Sequence, residues 1–339
     1  MELITNNLNV VWFILVFVLF AGFFLLEGFD YGTGILLPIT GKSDIQRRQM
    51  INALGPVWDS NQVWMITAGG AMFASFPHVY ATLFSGFYLA LFLMLAALIA
   101  RGVAFEFRSK SANPAWRKAF DYCIFFGSLI PALLWGVTVG NLIQGTPIDA
   151  TMTYVGSFWD LLSPYTILCG IAFILVFTYH GGLFTAIKTA GEVAERARAA
   201  SLVVGVFTAI GAILLAVATA IFTDMFHSTL AIVFYVVAVV CFLISWFAAR
   251  TRNTKIGFLF SSLTVIMITA AYFAGLFPRI MVSSLNPAWS LTIDNASSSP
   301  YTLALMTVVA LVFVPIVLIY KIWTYYTFRN RVSEQDLHY

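Results

Sequence analysis

Carboxylates in a mostly apolar chain are the residues of this sequence that could do chemistry. The stretch "GPVWDSNQVWMITAGG" carries Asp59 beside Ser60, Asn61 and Gln62. A carboxylate in hydrocarbon costs at least about 2.5–3.5 kcal/mol, so such a residue usually faces the protein interior and finds a partner. Carboxylates with Ser, Thr, Asn and water as neighbours can also relay protons. We therefore interpret Asp59 as a buried acid that relays protons, with helix packing as the alternative.

Two further acids lie in the first apolar segment. The stretch "LLEGFDYGTG" places Glu27 and Asp30 at positions i and i+3, on one helix face. Folding the first hairpin about its loop puts Asp30 and Asp59 at the same depth, roughly 12 Å inside the boundary of the membrane at about 1.5 Å per residue. Glycines beside Asp30 also favour close helix packing. Proton relay and a structural role therefore both stay open for Asp30, and the role of Glu27 stays undecided.

A structural ion pair is predicted between Arg101 and Asp121. The second inner loop, centred near residue 111, places these two side chains at matching depth on consecutive helices. The later apolar segments carry almost no charge between their ends. Any chemistry is therefore expected in the first half of the chain.

The elements that position these residues are predicted to be membrane helices. The chain has 339 residues, 60% of them hydrophobic and 10% charged, with a mean hydropathy of +0.90. A soluble domain has about 25% charged residues, and a membrane helix needs about 20 apolar ones. Nine runs qualify, at roughly 9–38, 51–74, 79–106, 120–142, 163–185, 199–222, 228–249, 257–277 and 303–326. We predict an all-α polytopic membrane protein with nine transmembrane helices, arranged as two four-helix bundles plus one extra helix.

Residues 1–339 are predicted to form a single integral-membrane domain. Residues 1–146 hold the first helix quartet with the buried charges, 147–198 a long outer loop and the fifth helix, and 199–339 the second quartet and a cytoplasmic tail. Two outer connections are rich in aromatic residues, Pro and Ser, and we expect them to cap the helices. The N-terminal stretch has no Lys or Arg before its apolar run, so we interpret it as a retained first span rather than a cleaved signal.

The distribution of Lys and Arg predicts the orientation. Of the 18 basic residues, 17 lie at the odd-numbered connections when Arg101 is included, and Arg279 lies at an even-numbered one. The positive-inside rule then places the N-terminus outside and the C-terminus in the cytoplasm. Omitting the polar second run would put basic loops on opposite sides, so the charges also favour nine helices. The sequence contains no basic patch that would indicate nucleic acid binding.

The cysteines and histidines favour neither a disulfide nor a metal centre in this chain. No two of the three cysteines have a disulfide or metal-site spacing. No His–His spacing is typical of a bis-histidine haem site on neighbouring helices.

Several motifs resemble subunit II of the cytochrome bd-type quinol oxidases. The stretches that carry this resemblance are "GFDYGTG", "GPVWDSNQVW", "FEFRSK" and "FDYCIFFGSLIPALLWGVTVGNLIQG". The match is dense over roughly residues 20–146 and weaker beyond. The resemblance implies a bacterial plasma-membrane terminal oxidase that oxidises quinol, reduces oxygen to water and builds a proton gradient without pumping.

The resemblance also implies a division of labour between subunits. Two b-type haems, one haem d and the quinol-oxidising loop belong to subunit I, while subunit II has a similar helical fold and binds no haem. Some members hold a structural quinone in subunit II, and no motif here decides that point. The identity of the quinone and the presence of a small single-helix subunit are left open.

Residue roles carry over at four positions. Asp59 resembles the acid proposed to lead protons from the cytoplasm towards the haems of subunit I. Asp30, Arg101 and Asp121 look like residues needed for assembly and haem retention. Position 27 is Glu, where other members can have Asp. Two other classes of protein remain as alternatives: a secondary transporter with a buried carboxylate site, and a purely structural partner subunit.

Overall fold

The computed structural model describes residues 7–335 and 337, and most of these residues are helical. Residues 1–6, on which the prediction of a retained first span partly depends, lie outside this range. The helices are α1 (Leu8–Thr40), α2 (Asp44–Leu54), α3 (Trp58–Ser75), α4 (Pro77–Gly86), α5 (Tyr88–Phe107), α6 (Pro114–Gln144), α7 (Pro164–Lys188), α8 (Glu192–Phe222), α9 (Thr229–Arg250), α10 (Thr254–Leu276) and α11 (Pro300–Thr327). Two short strands, β1 (Arg279–Met281) and β2 (Leu291–Thr292), pair antiparallel between α10 and α11.

Eight helices of the described residues are long and apolar enough to cross a membrane. They are α1, α5 with its short 3₁₀ extension, and α6 to α11. The prediction of an all-α polytopic membrane protein is confirmed. Helix α3 has 18 residues, or ~27 Å of length, but carries several polar side chains.

The second and third predicted runs are not continuous helices, and both predictions are wrong in this respect. Helix α2 ends at Leu54, a turn follows at residues 55–57, and α3 begins at Trp58. Pro56 explains this break because it lacks a backbone N–H and its ring clashes with the preceding helical turn. The third run divides at Phe87, where the ring of Tyr154 packs against Gly86. At each break the helix axis changes direction, and with it the direction of the polar or aromatic side chains that the helix carries.

Helix α1 lies at the centre of the fold and packs against α3, α6 and α7. Where α1 crosses α7, the two backbones lie so close together that the contact has no room for side chains. A Cβ built on Gly32 would lie 1.8 Å from the Phe177 carbonyl oxygen, and one on Gly181 would lie 2.4 Å from the Thr33 nitrogen. The predicted close packing beside Asp30 is therefore confirmed.

The two long loops pack together at one end of the helices. The Thr146 N–H donates to Val282 O at 3.0 Å, and the Ser284 N–H donates to Thr146 O at 2.9 Å. The Ser283 hydroxyl donates to Ile148 O at 2.7 Å. These bonds satisfy backbone groups that would otherwise lie unpaired in a loop. The two connections thus form one cap, as their composition predicts.

Candidate functional site

An ion pair between α1 and α5 forms the core of the site. Arg101 and Glu27 are 1% and 0% exposed, and the Arg101 guanidinium donates to the Glu27 carboxylate. The guanidinium also lies over the rings of Tyr31, at 4.9 Å, and Phe105, at 5.3 Å. Aromatic faces stabilise a cation at such distances. Arg101 is therefore held by a counter-ion and two rings, away from solvent.

A second polar cluster lies around Asp30, one helical turn along α1 from Glu27. The Asn61 side-chain amide donates to the Asp30 carboxylate at 2.8 Å. The amide oxygen of Asn61 accepts from Lys321 Nζ at 2.7 Å and from the Tyr325 hydroxyl at 2.8 Å. Asn61 therefore connects a buried acid on α1 with a cation and a phenol on α11.

Lys321 is a site residue that the sequence analysis missed. The charge pattern counts it among the basic residues of the C-terminal connection, but Lys321 lies within α11 and is only 8% exposed. Its Nζ also donates to the Ser60 hydroxyl at 2.6 Å. A signal was present, because Lys321 and Tyr325 are four residues apart and share one helix face. The site thus combines residues from both halves of the chain, and the expectation that only the first half contributes is wrong.

The two carboxyl groups of α1 interact with each other. Glu27 and Asp30 lie one helical turn apart, are both fully buried and interact electrostatically. Among the described residues, Glu27 Oε2 and Asp30 Oδ1 have no hydrogen-bond donor. Two adjacent ionised carboxylates repel, and a proton shared between them would relieve that repulsion. This arrangement can hold and pass on a proton.

Asp59 lies elsewhere than predicted. It is in the first turn of α3 and is exposed on the surface of this chain. Asn61 takes the interior position, and two residues along a helix turn the side chain by about 200°. Asp59 instead shares an exposed stripe with Val63, Ile66 and Phe73, whose exposed fractions are 48%, 66% and 59%. The prediction of a buried Asp59 is wrong for the chain alone.

The predicted pair of Arg101 and Asp121 is also wrong. Asp121 accepts from Arg108 Nε at 2.6 Å and from Arg47 Nη1 at 2.8 Å. Arg101 is engaged by Glu27, and Arg108, about two turns further along the chain, faces Asp121 instead. The sequence placed Asp121 correctly in an ion pair but with the wrong arginine. The charges form two separate clusters, one buried and one at the helix ends.

His180 is the histidine closest to the helix core. Its Nδ1 lies 2.7 Å from the Ser261 hydroxyl, its Nε2 lies 3.1 Å from Leu25 O, and its ring stacks on Phe258. Both ring nitrogens thus have partners within the protein. No group of three or more His, Cys, Asp or Glu residues in the described part of the chain could hold a metal ion.

Fold and site together define a polytopic helical membrane protein with a buried cluster of charged side chains. Residues 8–328 match the model of the family described as cytochrome bd terminal oxidase subunit II. The chain therefore belongs to this family and is a multi-pass bacterial membrane protein of a terminal oxidase.

Curated relatives agree over nearly the whole length. The chain is 44% identical to cytochrome bd ubiquinol oxidase subunit 2 of Bacillus subtilis, over 97% of this chain and 98% of the relative. It is 36% identical to cytochrome bd-I ubiquinol oxidase subunit 2 of Escherichia coli, over 97% and 96% of the two chains. A chain of the bd oxidase structure from Geobacillus thermodenitrificans has a TM-score of 0.77 at 15% identity, covering 96% of this chain and 100% of that one. This last likeness shows the fold alone.

Proposed function

We propose that this chain is the non-haem subunit II of a quinol:oxygen oxidoreductase. Its partner is the haem-bearing subunit I, which carries two haems b and one haem d and performs the oxidation of quinol and the reduction of oxygen. This chain scaffolds subunit I and supplies part of a proton path from the cytoplasm. Family membership supports the assembly, and the relatives from B. subtilis and E. coli are named as ubiquinol oxidase subunits.

The proposed topology has nine transmembrane helices, with the N-terminus outside and the C-terminus in the cytoplasm. Helix α3 is the span that we add to the eight long apolar helices, since its length of ~27 Å nearly matches the hydrocarbon thickness of a bilayer. The helices form two quartets separated by α7. The cation on the outer side, Arg279, supports this orientation because Asp224 neutralises it through an ion pair of 2.8 Å.

The proposed proton path follows a row of polar groups from Asp59 to Glu27, and the hydrogen bonds from Lys321 through Asn61 to Asp30 are the observation that carries it. Asp59 is exposed, and its carboxylate interacts electrostatically with Lys321. Lys321 lies within hydrogen-bond distance of Ser60 and Asn61, and Asn61 in turn donates to Asp30. The carboxyl pair with Glu27 ends the row. Protons are collected at Asp59 and held between Asp30 and Glu27, beside the fixed charge of Arg101.

Subunit I covers the exposed stripe of α3 in this proposal. The stripe is apolar apart from its first residues, and α5 continues it with Phe92 and Ile99, which are 62% and 58% exposed. Exposed apolar faces of this kind are covered by lipid or by a partner helix. A partner at this face would bury Asp59 and continue the proton path towards the haems.

The same face contains an apolar cavity of about 630 Å³ between α1, α3, α4, α5, α6 and α10. Phe24, Met72, Phe76 and Trp135 are among its lining residues, and Tyr80 and Tyr272 provide hydroxyl groups. The lining fits the isoprenoid chain of a structural quinone, and its aromatic side chains would hold such a chain. The cavity is thus the proposed place for that group.

The test is the variant Asp59→Asn in the purified complex. We expect slower oxygen consumption with reduced quinol at unchanged haem content, because the amide cannot take up a proton. A positioned proton-transfer group typically contributes about 10²–10⁴-fold to a rate, and we expect the lower end here because water can partly replace one carboxylate. Glu195→Gln, an exposed acid on the same proposed side, is the control and should leave turnover unchanged.

Full oxygen consumption by Asp59→Asn across the pH range would contradict the relay and leave the purely structural role. Family membership disfavours the secondary transporter. Reduced-minus-oxidised spectra of the co-purified complex separate these classes of protein, since only an oxidase subunit brings haem b and haem d bands with its partner.

A further inference from the structure

A basic cleft lies at the ends of α1 and α6, away from the buried charge network. It has a volume of about 350 Å³ and includes Tyr122 and Pro114 in its wall. Five cationic side chains and two carboxylates line it, which gives it a net charge of +3. The charged residues are Lys42, Arg47, Arg108, Arg117, Lys118, Asp44 and Asp121.

Both carboxylates of the cleft are already shared between arginines. Asp121 binds Arg108 and Arg47, and Asp44 binds Arg108 at 3.0 Å and Arg117 at 2.6 Å. The cations therefore outnumber the acids that hold them.

The remaining donors of the cleft lack anionic partners. Arg108 is 1% exposed, and its Nη1 has no hydrogen-bond partner among the described residues. Lys42 and Lys118 are exposed and take part in none of the ion pairs found in the described part of the chain. An anion in the cleft would complete these interactions.

The surroundings of the cleft indicate a lipid rather than a soluble anion. It opens where two membrane helices, α1 and α6, end, and lipid headgroups are expected at the ends of such helices. Exposed aromatic side chains flank it: Phe107, Trp116 and Tyr122, with exposed fractions of 51%, 40% and 49%. Such rings are typical of the membrane–water interface. Below them, the exposed ring of Phe126 continues an apolar surface along α6.

We propose that this cleft binds the phosphate group of an anionic glycerophospholipid. Lys42 and Lys118 attract the phosphate, and the Arg108 guanidinium provides the buried donor at the bottom of the cleft. The acyl chains lie along the exposed surface of α6. This binding site goes beyond the proton path and does not depend on it.

The experiment measures lipid binding by the whole oxidase complex after delipidation in mild detergent. Phosphatidylglycerol and phosphatidylcholine of equal chain length are titrated, and bound lipid is counted by native mass spectrometry. The variant Lys42→Gln/Lys118→Gln removes two exposed charges of the cleft. The matched control Arg252→Gln/Lys255→Gln removes two exposed charges from the turn before α10 and the first turn of that helix, on the same proposed side.

We expect the wild type and the control to bind phosphatidylglycerol more tightly than phosphatidylcholine, and the cleft variant to lose this preference. Each cation near a membrane surface contributes about 1 kcal/mol to binding an anionic lipid, so two correspond to a roughly 30-fold weaker affinity. Equal affinity of the cleft variant and the wild type would overturn the proposal. Saturation of the cleft by inorganic phosphate, with no gain from the acyl chains, would overturn the lipid as its ligand.

Discussion

The buried network has equal numbers of acidic and basic side chains and depends on one amide. Glu27 and Asp30 supply two acids, Arg101 and Lys321 supply two cations, and Asn61 connects the second pair. Buried ion pairs add little net stability, but removal of one partner is strongly destabilising because a charge is left uncompensated. Substitution of one member should therefore destabilise the protein mainly because its partner keeps an uncompensated charge, and less because a bond is lost.

Arg101→Met should prevent assembly of most of the complex. It leaves Glu27 buried without its cation, at a cost of about 3–5 kcal/mol. The measurement is the haem content of solubilised membranes per unit of this chain. The double variant Glu27→Gln/Arg101→Met removes both charges and should recover part of the assembled complex. Equal loss in the single and double variants would show that the charge of Glu27 is not the cause.

Lys321→Met should slow oxygen consumption more than it lowers haem content. The change removes the donor that Ser60 and Asn61 share, so the polar row between Asp59 and Asp30 is interrupted. Lys321→Arg keeps the charge and should restore part of the rate. The informative measurement is the pH profile of turnover, which a purely structural loss would scale down without changing its shape.

The residue types of the site were readable from the sequence, but their partners were not. Glu27, Asp30 and Arg101 are recognisable from the sequence because a charged side chain within an apolar run is costly to bury. The choice between Glu27 and Asp121 as partner of Arg101 depends on helix rotation, which matching of depths does not provide. Lys321 was missed because a cation near the end of an apolar run is read as the beginning of a basic tail.

At the scale of elements, the crossing of α1 and α7 sets the position of the acids. Gly32 and Gly181 allow the backbones of α1 and α7 to touch. This contact lies next to Tyr31 and two residues from Asp30 in the sequence. Gly32→Ala would put a methyl group into the Phe177 carbonyl, so the helices must separate. We expect a loss of several kcal/mol, in the range of strongly overpacked or strained sites, seen as a lower unfolding temperature of the complex.

Gly69→Ala provides the control for this prediction. A Cβ at Gly69 meets nothing within 4 Å, and alanine favours a helix by about 1 kcal/mol over glycine. The unfolding temperature should stay equal or rise slightly. If both variants behave alike, the close crossing does not limit stability.

The positions of the helices were predictable because a run of about 20 apolar residues forms a helix in a bilayer, where its backbone hydrogen bonds must be satisfied internally. Each of the six runs from residue 120 onward forms one helix, with ends at most seven residues from those predicted. The breaks at Pro56 and Phe87 were not foreseen. Hydropathy averages over a window, whereas the first break follows from one missing N–H and the second from a ring that packs against Gly86.

At the scale of the whole molecule, the two ends of the bundle differ in charge. The ion pair of Arg279 and Asp224 lies in the cap on the proposed outer side, and the hydrogen bond from Arg279 lowers the pKa of Asp224. A carboxyl group with a lowered folded pKa adds stability above its unfolded pKa of about 3.9. That contribution disappears as the pH falls through the folded pKa.

Asp224→Asn should therefore lower the unfolding temperature at pH 6, and the difference from the wild type should shrink as the pH falls below 4. Arg279→Gln should show the same pH dependence, because it removes the other half of the pair. Unfolding scans of the detergent-solubilised complex at several pH values provide the measurement. A difference that stays constant with pH would show that the pair does not respond to protonation of Asp224.

Helix α11 is the least buried of the membrane helices, yet it carries the cation of the Asp30 cluster. Along the chain, Lys321 follows Asp30 by about 290 residues. At ~5–20 residues per second of synthesis, α1 waits roughly 15–60 s in the membrane for this cation. A chain that stops before α11 leaves Asn61 and Asp30 without Lys321. Synthesis of α11 therefore completes the surroundings of a buried acid on the first helix, and a subunit that lacks α11 differs at Asp30 from one that has it.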